Sequence, residues 1–453
     1  MPSTIREVRR ALPAFCVIAL ALAMFGWGVL GVSTAWPRVP KTGGATRNAV
    51  HPLNGIPLAG DRGTLMTGIE SLQEHLREQP SDSVGWATLG LDYVQQAKAS
   101  TDPAYYPKAE GALHRSLDIA AQDNFVAMAG MGALANARHD FTQGLTWARK
   151  AEAVDPANST IQGILADALT QLGRYPEAFQ ATQRMVDLEP ATPSLARASY
   201  TWELRGDQAE ATADMRRALA DAPSASDRAF THYYLSELAF DAGDPGTALA
   251  ESQAGLRDRG DDPALLEARA KAESALGDTT SALADYTRAV GIVPQPQYIV
   301  ELGELQQSLG HTRQSQQAYD LFRAEEQLFT ANGVALDTDP TLFNADHGTA
   351  ADALRYGSAG IRIRPFIEMD DAYAWALHRN GRDAEALTFA RKAAALGTRN
   401  ALFAFHRGMI ESALGLTRAA KADLADALRT NPWFSPLQVP VARAELSRLE
   451  VKA

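Results

Sequence analysis

A glycine recurs along this 453-residue chain at Gly173, Gly206, Gly243, Gly277, Gly310, Gly348, Gly381 and Gly415, with spacings of 33, 37, 34, 33, 38, 33 and 34. Five residues after each stands a small side chain: Ala178, Ala211, Ala248, Ala282, Ser315, Ala353, Ala386 and Ala420. A proline often follows further on, at Pro190, Pro223, Pro294, Pro365 and Pro432. A period near 34 is too long for a single helix or strand and fits one helix–turn–helix unit, repeated and stacked. No single unit can bury its apolar face alone, so the chain must build an elongated array in which each unit covers the next. Such an array offers curvature for binding rather than a reactive pocket.

Composition narrows the reading further. The apolar share of 46% suits a folded helical protein. The lone cysteine, Cys16, excludes an internal disulfide and a cysteine-built metal cage. A net charge of −11 argues against nucleic acid, whose phosphates call for basic patches. It argues equally against adhesion to an anionic membrane surface.

The N-terminus reads as a targeting segment. Arg6, Arg9 and Arg10 precede an uncharged apolar run from Ala11 to Val32. At a helical rise of about 1.5 Å per residue this run covers the roughly 30 Å of a hydrocarbon core. A secretory signal has a shorter apolar region, so residues 1–35 are expected to be a single membrane anchor. The leading arginines place the N-terminus inside and the array outside the cytoplasm. The alternative is a secreted protein released by cleavage after Ala35, within the small-residue run Ser33-Thr34-Ala35. Residues 36–62, with Pro37, Pro40, Gly43, Gly44, Pro52, Gly55, Pro57 and Gly60, read as an extended linker.

A first helix is expected over Leu65–Gln79, with an apolar stripe at Leu65, Ile69, Leu72 and Leu76 that covers the open end of the stack. The segment from Trp86 through Leu89 and Gly90 to Tyr93 then matches W-x2-L-G-x2-Y. On these residues the chain resembles the tetratricopeptide-repeat (TPR) family, and in particular bacterial members with an N-terminal hydrophobic segment and no catalytic domain. Ten units can be placed, at 86–121, 125–157, 159–190, 192–223, 229–260, 263–294, 296–327, 334–365, 367–398 and 401–432. In the second, His139 replaces the turn residue. The resemblance implies an all-α, right-handed helical solenoid of about ten hairpins that acts as a protein-binding scaffold.

Two departures predict a hinge or a change of curvature around 328–342. No proline closes the seventh unit, and the run from Ala324 to Phe329 prolongs its second helix. Pro340 shortens the first helix of the eighth, which should start near Thr341. The array therefore divides into 63–330 and 331–453, ending in a closing helix marked by Val439, Leu446 and Leu449.

The sequence offers no nucleotide-binding glycine loop, no HExxH or paired Cys-x-x-Cys for a metal, and no G-x-S-x-G nucleophile elbow. Neither catalysis, a cofactor nor a metal is expected. What the resemblance implies instead is that the first helix of each unit lines a concave groove. The inward positions there are Tyr200 and Glu203 in the fourth unit, Phe230, Tyr233, Glu237 and Phe240 in the fifth, and Glu267 in the sixth. The ninth unit adds Asp371, Trp375, His378 and Arg379, and the tenth Phe405 and Met409. Aromatic anchors beside carboxylates suit a protein or peptide segment that is apolar and carries basic groups. Against this stands the plainer reading, that an aromatic in such a solenoid packs the core and an acidic residue is a solvated face. The Lys/Asn pair with which chaperone-binding members hold a terminal carboxylate is absent, the corresponding positions reading Tyr233/Glu237, Glu267/Lys271 and Val300/Glu304.

Overall fold

The structure is a computed structural model that describes residues 62–100, 102–335 and 338–451. The expected anchor, and all but the last residue of the linker, lie outside these residues. Among the described residues there are 22 helices, and no helix is long and apolar enough to cross a membrane.

α1 (Arg62–Glu78) caps the N-terminal end, with Ile69, Leu72 and Leu76 buried. Five hairpins follow: α2 (Ser83–Ser100) with α3 (Tyr105–Ile119), α4 (Phe125–Ala137) with α5 (Phe141–Val154), α6 (Ser159–Gln171) with α7 (Tyr175–Leu188), α8 (Thr192–Leu204) with α9 (Gln208–Ala220), and α10 (Ala225–Asp241) with α11 (Pro245–Asp258). Five more complete the array: α12 (Pro263–Ala275) with α13 (Thr279–Ile292), α14 (Pro296–Ser308) with α15 (Thr312–Ala331), α16 (Thr338–His347) with α17 (Ala350–Ile363), α18 (Ile367–Arg379) with α19 (Asp383–Ala393), and α20 (Ala401–Ala413) with α21 (Thr417–Thr430). α22 (Gln438–Val451) closes the C-terminal end through Val439, Ala442 and Leu449.

The recurring glycine ends the first helix of its unit. Gly173, Gly206, Gly243, Gly277, Gly310, Gly381 and Gly415 all have φ between 68° and 91°, the left-handed region that only glycine enters freely. The residue after each donates its N–H back to the helix's last turn, as Arg174 does to the Leu169 carbonyl at 2.8 Å and Asp207 to the Trp202 carbonyl at 2.9 Å. Asp207, Asp244 and Asp278 then cap the second helix by accepting backbone N–H groups. In the second unit His139 takes this conformation, at φ 62°. Gly348 does not, and its glycine serves space, since a Cβ there would strike Asn344. The small residue five places on is buried in every unit, because the two helices of the hairpin meet there. Gly90 acts similarly in the first unit, where a Cβ would lie 2.5 Å from Leu113 Cγ.

First helices of successive units touch one another, whereas second helices meet mainly their own partner and the next first helix. The first helices therefore form the inner wall. At the junction of the seventh and eighth units the two helices stand further apart: α15 meets α16 through side chains, Phe322 stacking on Phe343 with ring centroids 4.0 Å apart, rather than through close backbone packing. The prolonged end of α15 turns instead toward the first units, where Phe329 and Val334 join a core with Leu134, Ala137 and Tyr106. α16 is short, as Pro340 requires, but starts at Thr338, before the expected Thr341.

The array coils until it meets itself. His139 Nδ1 lies 3.1 Å from the Ala335 carbonyl, and a Cβ on Gly173 or Gly206 would collide with the carbonyl of Pro365 or Gly397. At Gly243 a Cβ would lie 2.7 Å from the Thr430 carbonyl. The turns of units two to five thus lie in order against the unit-ending loops five units later. Gly277, Gly310, Gly381 and Gly415 face open space at the same position.

Candidate functional site

The seam between the two coils encloses the inner wall and places its polar side chains. From α8, the half-buried Tyr200 donates to Glu368 Oε1 of α18 at 2.9 Å, across the seam. Burial pushes the Glu368 carboxyl up to about 7, with Arg364 opposing and Asp371 reinforcing the rise. Glu203, one turn on from Tyr200, is lifted well above the carboxylate range by burial and by the charges of Asp241, Glu368 and Glu237. Asp241, at the end of α10, is open to the interior yet surrounded by protein, and that environment raises it too. Among the described residues no arginine or lysine forms an ion pair with Glu203 or Asp241.

Lys271 of α12 stands at the centre of the next stretch. Its ammonium donates to Glu237 of α10 and lies 3.0 Å from Glu267 Oε1, while Gln297 of α14 bridges Glu267 (3.4 Å) and Glu301 (3.1 Å). Burial alone would lower Lys271, but Glu237, Glu267, Glu301 and Asp241 together raise it well above its ordinary value, so it is charged at neutral pH. Burial lifts Glu237 to about 7 and Glu267 well above the carboxylate range, against the pull of the Lys271 ammonium on both. Tyr233 is half-buried beside them, edge-on to Tyr234 with ring centroids 5.1 Å apart, and Phe230 meets Tyr234 from the other side at 4.6 Å. Units four to seven therefore present an acidic and aromatic wall in which Lys271 is held between carboxylates.

Units nine and ten are arranged differently. Asp371, 1% exposed, accepts from His406 Nδ1 at 2.8 Å, and the fully buried His406 ring stacks on Trp375 at 4.3 Å. Trp375 is 5% exposed, with its indole N–H on Asp346 Oδ1 at 2.9 Å and its other face on His378. Phe405 is buried against the same ring, with Met409 half-buried behind it. Over this cluster runs the chain's own C-terminal segment. Phe434 packs on Phe405, Ser435 Oγ donates to Glu304 of α14 at 3.2 Å, and Gln438 donates to Asp346 at 2.9 Å.

The residues singled out from the sequence thus fall into three groups. Tyr200, Glu203, Phe230 and Tyr233 share the partly open wall of units four and five. Glu237, Glu267 and Phe240 border it from beneath: the carboxylates are buried on Lys271, and Phe240 packs with Ala248 and Ala272. Asp371, Trp375, Phe405 and, at the margin, His378 and Met409 belong to the separate cluster under the C-terminal segment, while Arg379 is exposed and donates to the Ala345 carbonyl. Sequence reasoning missed Glu301, Arg364, Gln171, Ser435 and Gln438, whose partners are up to 193 residues away. No periodic signal marks such positions. Among the described residues no group of His, Cys, Asp or Glu side chains is arranged to hold a metal.

No protein-family model matches the chain, and no curated protein matches it. Solved structures with a similar arrangement include a tetratricopeptide-repeat protein from Parabacteroides merdae, at 19% identity over 57% of this chain and 98% of that one, TM-score 0.33. Human IFIT1 shares 15% identity over 81% and 87% of the two chains, TM-score 0.44. A thermophilic TPR protein of Thermus thermophilus shares 20% over 42% and 98%, TM-score 0.36.

Proposed function

We propose that this protein is a TPR-type scaffold that binds a polypeptide segment bearing basic side chains along the inner wall of units four to seven. One observation carries the reading: Glu203 and Asp241 face the interior without an ion pair among the described residues, Lys271 near Asp241 being held by Glu237 and Glu267, beside the half-buried Tyr200 and Tyr233. A lysine or arginine of a partner would supply the missing charge, and its aliphatic stem would lie on the tyrosine rings. The corresponding face of units nine and ten is taken by the chain's own residues 431–438, so the site proposed is shorter than the inward positions suggest. The mechanism is recognition without turnover.

Photoreactive groups at Tyr233 and Trp375 test this directly. Tyr233 is expected to capture a protein through a lysine- or arginine-bearing segment, with capture lost in Glu203→Lys/Asp241→Lys and weakened by salt. Capture at Trp375 and none at Tyr233 would move the site elsewhere.

We further propose that residues 1–35 tether this scaffold to the cell membrane with the array outside the cytoplasm. External protease on intact cells should then digest the array, and mass spectrometry should find the N-terminal segment retained. A mature protein beginning at Trp36 would favour the secreted form.

A further inference from the structure

The seam that closes the coil is held by few polar contacts, and its chemistry is unusual. Tyr200 on α8 meets Glu368 on α18, Tyr175 Oη accepts the Ile367 N–H at 2.8 Å, Thr398 donates to the Leu204 carbonyl at 2.5 Å, and Arg364 reaches Gln171 at 2.6 Å. A small apolar cluster accompanies them, with Leu204 and Tyr175 from one coil and Ile367 and Phe403 from the other. The titratable groups facing this joint are mostly acidic. α8 contributes Tyr200 and Glu203, α10 Glu237 and Asp241, and α18 Glu368, Asp370 and Asp371; Tyr175 comes from α7. The cations within reach include Arg364 beside Glu368, Lys392 of α19 beside Asp370, Lys271 beside Glu237 and Asp241, Arg399 with its stem against the Gly206 turn, and Arg205 at that turn, which lies over Trp202 and Phe179.

We propose that this seam is a pH-responsive joint, closed in acidic medium and parting between α8 and α18 as the medium turns alkaline. In the closed coil burial and neighbouring carboxylates raise both Glu203 and Glu368, which favours their protonated forms. Once the coils part, water reaches both and they revert toward the ordinary carboxylate value near 4.3. The closed form therefore binds more protons than the open one, and linkage requires opening to become easier as pH rises. One further observation suits a joint that moves. The seam contacts join whole hairpins, so they can part without unfolding a unit. The inference needs no partner and stands apart from the peptide-binding proposal.

The test is a distance measured across the joint in the full chain. Cys16→Ser with Ala209→Cys and Ala395→Cys places spin labels at exposed alanines on its two sides. Pulsed electron resonance at pH about 5.5 should give one short distance, and at about 8 a second population longer by ~5 Å or more, with unchanged helical circular dichroism. Glu203→Gln/Glu368→Gln should abolish the pH effect. If that pair misfolds, Glu368→Gln alone should remove at least about half of the long population at high pH. The same distribution at both pH values, or a pH effect that survives the glutamines, overturns the proposal.

Discussion

At the scale of single residues, one repeated glycine serves two different needs. Each of the seven with positive φ ends a helix in a conformation that disfavours any Cβ by about 1–2 kcal/mol. Gly206 is in addition pressed against the Gly397 carbonyl, whereas Gly415 has open space around it. Gly415→Ala should thus lower stability by roughly 1–2 kcal/mol, and Gly206→Ala by at least about 1 kcal/mol more, as read from thermal midpoints. Equal shifts would show that the coils do not touch in solution. Lys271 makes a second residue-scale case. Lys271→Met leaves Glu237 and Glu267 buried without their cation, and a cost of about 3–5 kcal/mol is expected in denaturant unfolding. The loss should shrink when Glu237→Gln and Glu267→Gln are added.

At the scale of elements, most of the helices follow from local rules visible in the chain. In units four to six an aspartate after the turn glycine caps the second helix, a buried small residue lets each hairpin close, and Pro340 keeps α16 short. The prolonged α15 is different, because its last turn is held by residues of the first two units. Phe329, 3% exposed in that shared core, is therefore a joint between distant elements rather than part of its own hairpin. Phe329→Ala should cost about 3–5 kcal/mol. It should also raise amide exchange around Val334 and Ala335 before it does so in α12 or α13. Uniform exchange along the array would contradict this.

For the whole molecule, the enclosed acidic wall predicts how stability varies with pH. Burial raises Glu237 and Glu368 to about 7 and, outside that wall, Glu325 on the second helix α15 to about 8. A carboxyl raised on folding carries no penalty below its unfolded value, near 4.3, where both states are protonated. The penalty grows as pH rises and is complete once pH passes the folded value. Thermal stability should therefore fall between about pH 5 and 8, opposite to a protein held by exposed carboxylate–arginine pairs. A flat or rising profile would mean that these groups are solvated.

The sequence by itself determined the unit. Spacing, turn glycine, small hairpin residue and closing proline are local constraints, each satisfied within some forty residues, and they made the all-helical stack and the irregularity near Pro340 legible. Tyr200, Glu203 and Tyr233 are expected on the inner wall only through the phase that the resemblance implies. Only the tertiary structure decided that the coil meets itself, that Gly206 is crowded where Gly415 is free, and that residues 431–438 cover Trp375 and Phe405. Those outcomes rest on the pitch of the coil, which accumulates small angles over many hairpins. No single window of sequence records that sum, because it is a property of the packing between all of them.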